Sequence, residues 1–175
     1  MSQLNQRRKL VLLGEMAVGK TSIVRRMVLD RFDGNYKGTL GHDIFVYPLS
    51  GLGPARNESL ELVIWDTDGG LGAGAFHLDA AVKGSSAVII VGDVTRPRTL
   101  STMALLAAQC DVHLPGRPVY QLFNKTDLLD AETGYDVPAE LLSLPHSVRK
   151  TSAKSGENIK ETFFDAANAI LRRGL

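Results

Sequence analysis

Four apolar residues, Leu10-Val11-Leu12-Leu13, run directly into Gly14-Glu15-Met16-Ala17-Val18-Gly19-Lys20-Thr21. The apolar run suits a strand buried on both faces. A helical pattern follows from Lys20 to about Leu29. The pattern G-x-x-x-x-G-K-[ST] between a strand and a helix makes a turn whose backbone N–H groups converge with a helix N-terminus. Such a turn is a nest for phosphate. Gly14 and Gly19 allow backbone geometry that a side chain would obstruct. Ala17, Val18, Gly19 and Ser22 supply backbone around the phosphates, Lys20 can reach the β- and γ-phosphates, and the Thr21 hydroxyl can coordinate magnesium.

Further strands are expected at Asp43 to Leu49, Leu60 to Trp65, Ala87 to Val91, Val119 to Phe123 and around Val148. Helical spacing marks Thr99 to Cys110, and a stripe of Ile159, Phe163, Ala166, Ala167 and Ile170. Pro138 and Pro145 bracket a segment that allows only a brief helix. This alternation predicts an α/β fold: a single-domain P-loop NTPase over residues 1–175, with a mostly parallel six-stranded sheet and helices on both faces. Ligands of such sheets bind outside the carboxyl ends of the strands.

Three more polar strings fall at those ends. In Asp66-Thr67-Asp68-Gly69, a strand-end carboxylate can hold magnesium through its water. Gly69 can offer its N–H to a γ-phosphate and move when that phosphate leaves. In Asn124-Lys125-Thr126-Asp127, a carboxylate can accept from two adjacent donors. Guanine presents such a pair and adenine does not, so Asp127 selects guanine. The Lys125 stem can lie along the base, and Asn124 can tie its loop to the phosphate loop. In Thr151-Ser152-Ala153-Lys154, the Ala153 N–H can donate to the guanine carbonyl. The ligands implied are GTP or GDP with Mg²⁺. A P-loop kinase or ATPase is the reading that Asp127 argues against.

These four strings, in this order and near this spacing, resemble the small GTPases of the Ras superfamily over nearly the whole chain. The strings Thr39-Leu40-Gly41-His42-Asp43-Ile44-Phe45, Trp65-Asp66-Thr67 and Gly92-Asp93-Val94-Thr95 are most similar to Rab-type members. The resemblance implies a molecular switch. Thr39 matches the threonine that coordinates magnesium in the GTP state. Phe32 matches the aromatic that packs on guanine, and Tyr36 stands where a tyrosine often lies near the γ-phosphate. Lys20, Thr39, Gly69 and Gly70 form the candidate catalytic group, and Thr21, Thr39 and Asp66 the metal group. An effector, an exchange factor and a GTPase-activating protein are implied as partners, with the chain itself a monomer.

The chain also departs from that family. Gly70 stands where the family has the glutamine that orients the attacking water, which predicts slow unaided hydrolysis. His77 is a remote candidate to replace it. Asp68 replaces a small residue and adds negative charge beside the γ-phosphate site. Gly70-Leu71-Gly72-Ala73-Gly74-Ala75 predicts a mobile segment. Met16 puts a bulky side chain in the phosphate loop, where it can obstruct a partner's arginine. Arg25, Arg26 and Arg31 read as solvated helix surface, and Ser50 to Asn57 as a long tolerated insertion between two strands. These departures leave open a GTP-holding module without turnover.

Composition adds bounds. The formal net charge is +1, which gives no ground for nucleic-acid binding. The lone Cys110 lies in an apolar helical pattern and reads as a core thiol in a reducing, cytoplasmic compartment. The terminal Leu171-Arg172-Arg173-Gly174-Leu175 contains no cysteine for a prenyl anchor, and the sequence shows no leader or membrane span.

Overall fold

The computed structural model describes residues 6–34, 38–70, 75–129, 137–143 and 145–175. Its elements are β1 (Gln6–Leu13), α1 (Lys20–Leu29), β2 (His42–Leu52), β3 (Glu58–Thr67), α2 (Ala75–Val82), β4 (Ser85–Asp93), α3 (Pro97–His113), β5 (Val119–Asn124), α4 (Ala139–Ser143), β6 (Ser147–Lys150) and α5 (Ile159–Arg173). The strands form one sheet in the order β2-β3-β1-β4-β5-β6. β2 runs antiparallel to β3, and every other neighbouring pair is parallel. This is the expected six-stranded, mostly parallel sheet.

Strand side chains alternate between two cores. Leu10, Leu12, Ile89 and Val91 join one cluster with Ile23, Met27, Phe163 and Ile170 from α1 and α5. Val11, Leu13, Val88 and Ile90 join the other with Leu78 and Val82 of α2 and Leu100, Met103 and Leu106 of α3. All nine residues of β4 are buried, as a central strand covered on both faces must be. At the carboxyl ends of the parallel strands β1, β3, β5 and β6 the chain turns into the polar strings, so the sheet presents them on one rim.

Several boundaries differ from the sequence reading. β2 continues past Leu49 to Leu52, because a bulge at Gly51 (φ 74°) lets Leu52 turn fully into the core. Ser50 pairs with Ser59 and Leu52 with Glu58, so the expected insertion begins as strand and its loop is confined to residues 53–57. β1 begins at Gln6, where parallel pairing with β3 outweighs the charges of Arg7, Arg8 and Lys9. α2 is a further helix behind a glycine-rich approach, and its Leu78 and Val82, at helical spacing, are both buried. Residues 71–74, on which the expectation of mobility rests, lie outside the described residues.

Cys110 is fully buried in the α3 core, where desolvation and then the nearby Asp111 push its thiol up to about 12. At pH 8 this leaves about a thousandfold less thiolate than the ordinary value of 9.0 would. Alkylation of the native protein at pH 8 should therefore be slower by at least that factor than alkylation in denaturant, as read by mass spectrometry. Comparable rates would place Cys110 outside a packed core.

Candidate functional site

Gly14 and Gly19 are required by packing as well as by backbone angle. Gly14 has φ 138°, and a Cβ there would lie 2.3 Å from the Val91 carbonyl oxygen. Gly19 has φ 102°, and a Cβ there would lie 2.4 Å from Asn124 Nδ2. The loop between them closes beneath a cavity of about 340 Å³. Gly19, Lys20 and Thr21 line it together with Asn124, Lys125 and Asp127. Ala17, Ser22, Phe32, Thr39, Ala153 and Lys154 also face it. Val18 is buried under the loop. Tyr36 lies outside the described residues, as do the side chain of His77 and residues 71–74.

The Lys20 ammonium is buried and folds back over the loop, donating to the Gly14 and Glu15 carbonyls at 2.9 and 2.8 Å. Desolvation lowers its pKa to about 8, against the opposing pull of Asp66 and Asp68. A polyphosphate in the cavity would supply the missing counter-charge.

Three oxygens meet beside it. Thr21 Oγ1 donates to Asp66 Oδ2 at 2.6 Å and lies 2.9 Å from Thr39 Oγ1. Asp66 is fully buried, and its Oδ1 has no hydrogen-bond partner among the described residues. Burial raises the Asp66 pKa, with the Thr21 bond and Lys20 acting in the other direction. Two hydroxyls and a carboxylate, whose Oδ1 is left without a donor among the described residues, are hard ligands and fit Mg²⁺, which takes few protein ligands and retains water.

The base end is built by side-chain bonds between loops. Asn124 Nδ2 donates to the Val18 carbonyl at 2.9 Å, the tie to the phosphate loop that the sequence suggested. Its Oδ1 accepts from the Ala153 N–H at 3.2 Å, so the N–H expected to face a guanine carbonyl is held here by Asn124. Lys125 donates to the Ala17 carbonyl at 2.9 Å and pairs with Asp93 at 2.6 Å. Asp127 Oδ1 accepts from Ser152 Oγ at 2.6 Å, which orients the carboxylate. Asp93 is buried, which works against its charge, yet its bonds from Lys125 and Thr95 hold the carboxyl below its usual range.

The segment from Asp68 to Gly70 also takes a defined position. Gly69 has φ 84°, and a Cβ there would fall 2.7 Å from both Lys20 Nζ and the Met16 nitrogen. It therefore sits against the phosphate loop. Asp68 Oδ1 accepts from the Gly70 N–H at 2.8 Å, and the Asp68 N–H donates to the Gly41 carbonyl at 2.9 Å. Asp68 lines the cavity, so its charge stays beside the phosphate end.

One sequence reading is corrected. Arg26 is not solvated surface: it donates to the Ala153 carbonyl at 3.0 Å and the Lys154 carbonyl at 2.6 Å. It thereby fixes the Ser152–Lys154 loop from α1. Arg25 lines the cavity as well. Both contacts span more than a hundred residues or depend on a loop's position, so helix periodicity gave no signal for them.

Comparison with known proteins agrees with this geometry. The sequence model of the Ras family matches residues 9–172. Ras-related protein Rab-22A of Canis lupus familiaris is 35% identical over 167 residues, covering 93% of this chain and 82% of that protein. Ras-related protein Rab-31 of Rattus norvegicus is 35% identical, covering 89% and 78%. Ras-related protein RABF2a of Arabidopsis thaliana is 33% identical, covering 94% and 81%. The chain belongs to the Ras family and is a Rab-like small GTPase.

Proposed function

We propose that this chain is one G domain over residues 1–175, which binds GTP or GDP with Mg²⁺ as a molecular switch and hydrolyses GTP slowly or with a partner's help. The observation that carries this reading is the convergence of all four polar strings on one cavity, whose lining includes both Lys20 and Asp127. Magnesium would be held by Thr21, Thr39 and, through water, Asp66; bound there, it neutralises charge on the β- and γ-phosphates. Thr39 and Gly69 would be drawn in by the γ-phosphate and released without it, and effector, exchange factor and activating protein would read or alter that change. Among the described residues no helix is long and apolar enough to cross a membrane.

Slow chemistry follows from Gly70. It has no side chain to orient water, and its N–H is taken by Asp68. The same two residues favour a second reading, a module that holds GTP without turnover.

Single-turnover conversion of bound GTP decides between them. We expect a rate below the roughly 3–5 × 10⁻⁴ s⁻¹ of an unassisted Ras-type site. A faster rate would mean that another group positions the water. No conversion over a day would leave the non-hydrolysing module, or a catalytic group supplied in trans.

Base selection is tested at Asp127. Asp127→Asn should weaken GTP binding by roughly 10–100-fold and shift preference toward xanthine nucleotides. Equal affinity of the wild type for ATP would overturn the assignment. At the metal group, Thr39→Ala should weaken Mg²⁺ binding in the GTP state while leaving the GDP state within about twofold. An equal loss in both states would remove Thr39 from the switch.

A further inference from the structure

The carbonyls of the phosphate loop can be accounted for one by one. Lys20 donates to those of Gly14 and Glu15. Lys125 donates to that of Ala17, Asn124 to that of Val18, and the Ile23 N–H to that of Gly19. The remaining carbonyl, of Met16, accepts from Arg96 Nη2 at 2.9 Å. Arg96 belongs to none of the four polar strings. It stands just before α3, and its Nε pairs with buried Asp93 Oδ2 at 3.1 Å. That same oxygen carries Lys125 at 2.6 Å. One buried carboxylate therefore aims two cations at two successive carbonyls of the loop.

In a trans peptide the C=O of one residue and the N–H of the next point in opposite directions. Holding a carbonyl outward therefore turns the following N–H inward. Lys125 on Ala17 sets the Val18 N–H, and Asn124 on Val18 sets the Gly19 N–H. By the same geometry, Arg96 on Met16 sets the Ala17 N–H. Ala17 needs this support more than its neighbours, because it is a residue with a side chain held at φ 63°.

We propose that Arg96 is a positioning residue for nucleotide binding, which fixes the Ala17 N–H of the phosphate nest by gripping the Met16 carbonyl from outside. The inference rests on the guanine-nucleotide reading above. Arg96 acts through the loop backbone, and the loop N–H groups cradle phosphates that GDP and GTP share. Its loss should weaken both nucleotides alike. A residue acting on the γ-phosphate would affect GTP alone. Arginine suits the role because its fork donates to Asp93 and to Met16 at once, whereas a lysine ammonium is a point donor.

The test uses the full chain loaded with a fluorescent GDP analogue or a non-hydrolysable GTP analogue, with Mg²⁺, and chased with excess unlabelled nucleotide. Arg96→Ala should speed release of both by at least about tenfold, and Arg96→Lys should fall between it and the wild type. Exchange of the Ala17 amide proton should quicken in Arg96→Ala while amides of β4 and α5 stay protected. If Arg96→Ala fails to fold, Arg96→Lys and Arg96→Gln are judged by the same criteria. Release within twofold of wild type, or an effect confined to the GTP analogue, overturns the proposal. A wild type that retains neither nucleotide overturns both this proposal and the functional reading, whereas retention with unchanged release from the variants overturns this one alone.

Discussion

The buried carboxamide of Asn124 sets the distance between the two ends of the site. Its nitrogen holds the Val18 carbonyl, and its oxygen holds the Ala153 N–H. Asn124 is 1% exposed, so both halves of the amide must be satisfied inside the protein. Leaving either half unpaired costs about 1–3 kcal/mol. The amide thus joins the phosphate loop, the base loop after β5 and the loop after β6. It also explains Gly19 without reference to any ligand, since a Cβ there would strike Asn124 Nδ2. The glycine and the asparagine, far apart in sequence, are two parts of one contact.

Around that joint the site is built against the usual preferences of a protein interior. Lys20 is a buried ammonium with its pKa depressed, and Asp66 a buried carboxyl with its pKa raised. Each shift says that the charged form is under-compensated by the protein alone. Asp66 Oδ1 makes the same point geometrically, as a buried acceptor with no donor among the described residues. Magnesium and polyphosphate carry the complementary charges. Their binding would add to the stability of the folded chain by mass action, beyond what its two apolar cores supply.

How much of this could be read from sequence depended on how far apart the interacting residues lie. The β1 strand and phosphate loop are contiguous, so their pattern fixed element, turn and ligand class together. β4 and β5 were legible as largely apolar runs because both of their faces are buried. β1 upstream of Leu10 was not, since Arg7 and Lys9 are strand by virtue of their pairing with β3. Arg26 looked like helix surface because periodicity sees only its own helix, whereas its partners, Ala153 and Lys154, arrive from the far end of the chain. Arg96 was hidden for the same reason. Its neighbour Asp93 was seen only as part of a Rab-like string, and the buried charge that gives it a role emerges only when β4 and β5 pair.

The segment from Asp68 to Gly70 obeys the same physical terms. Gly69 lies so close to the phosphate loop that a Cβ would collide with Lys20 Nζ, so the approach of this segment is preserved. Beyond it, Gly70 directs its N–H at the Asp68 carboxylate. A short turn, closed on its own acid, replaces a side chain that would reach into the cavity. The Asp68 N–H meanwhile bonds to Gly41, joining the segment after Thr39 to the segment before Gly70. On the function proposed above, Thr39 and Gly69 would register the γ-phosphate, and Gly70 offers no side chain that would help remove it. Sensing a phosphate requires backbone and hydroxyl groups at fixed distances, while hydrolysis also requires a positioned water. The two demands fall on different residues, so one can be lost while the other remains intact.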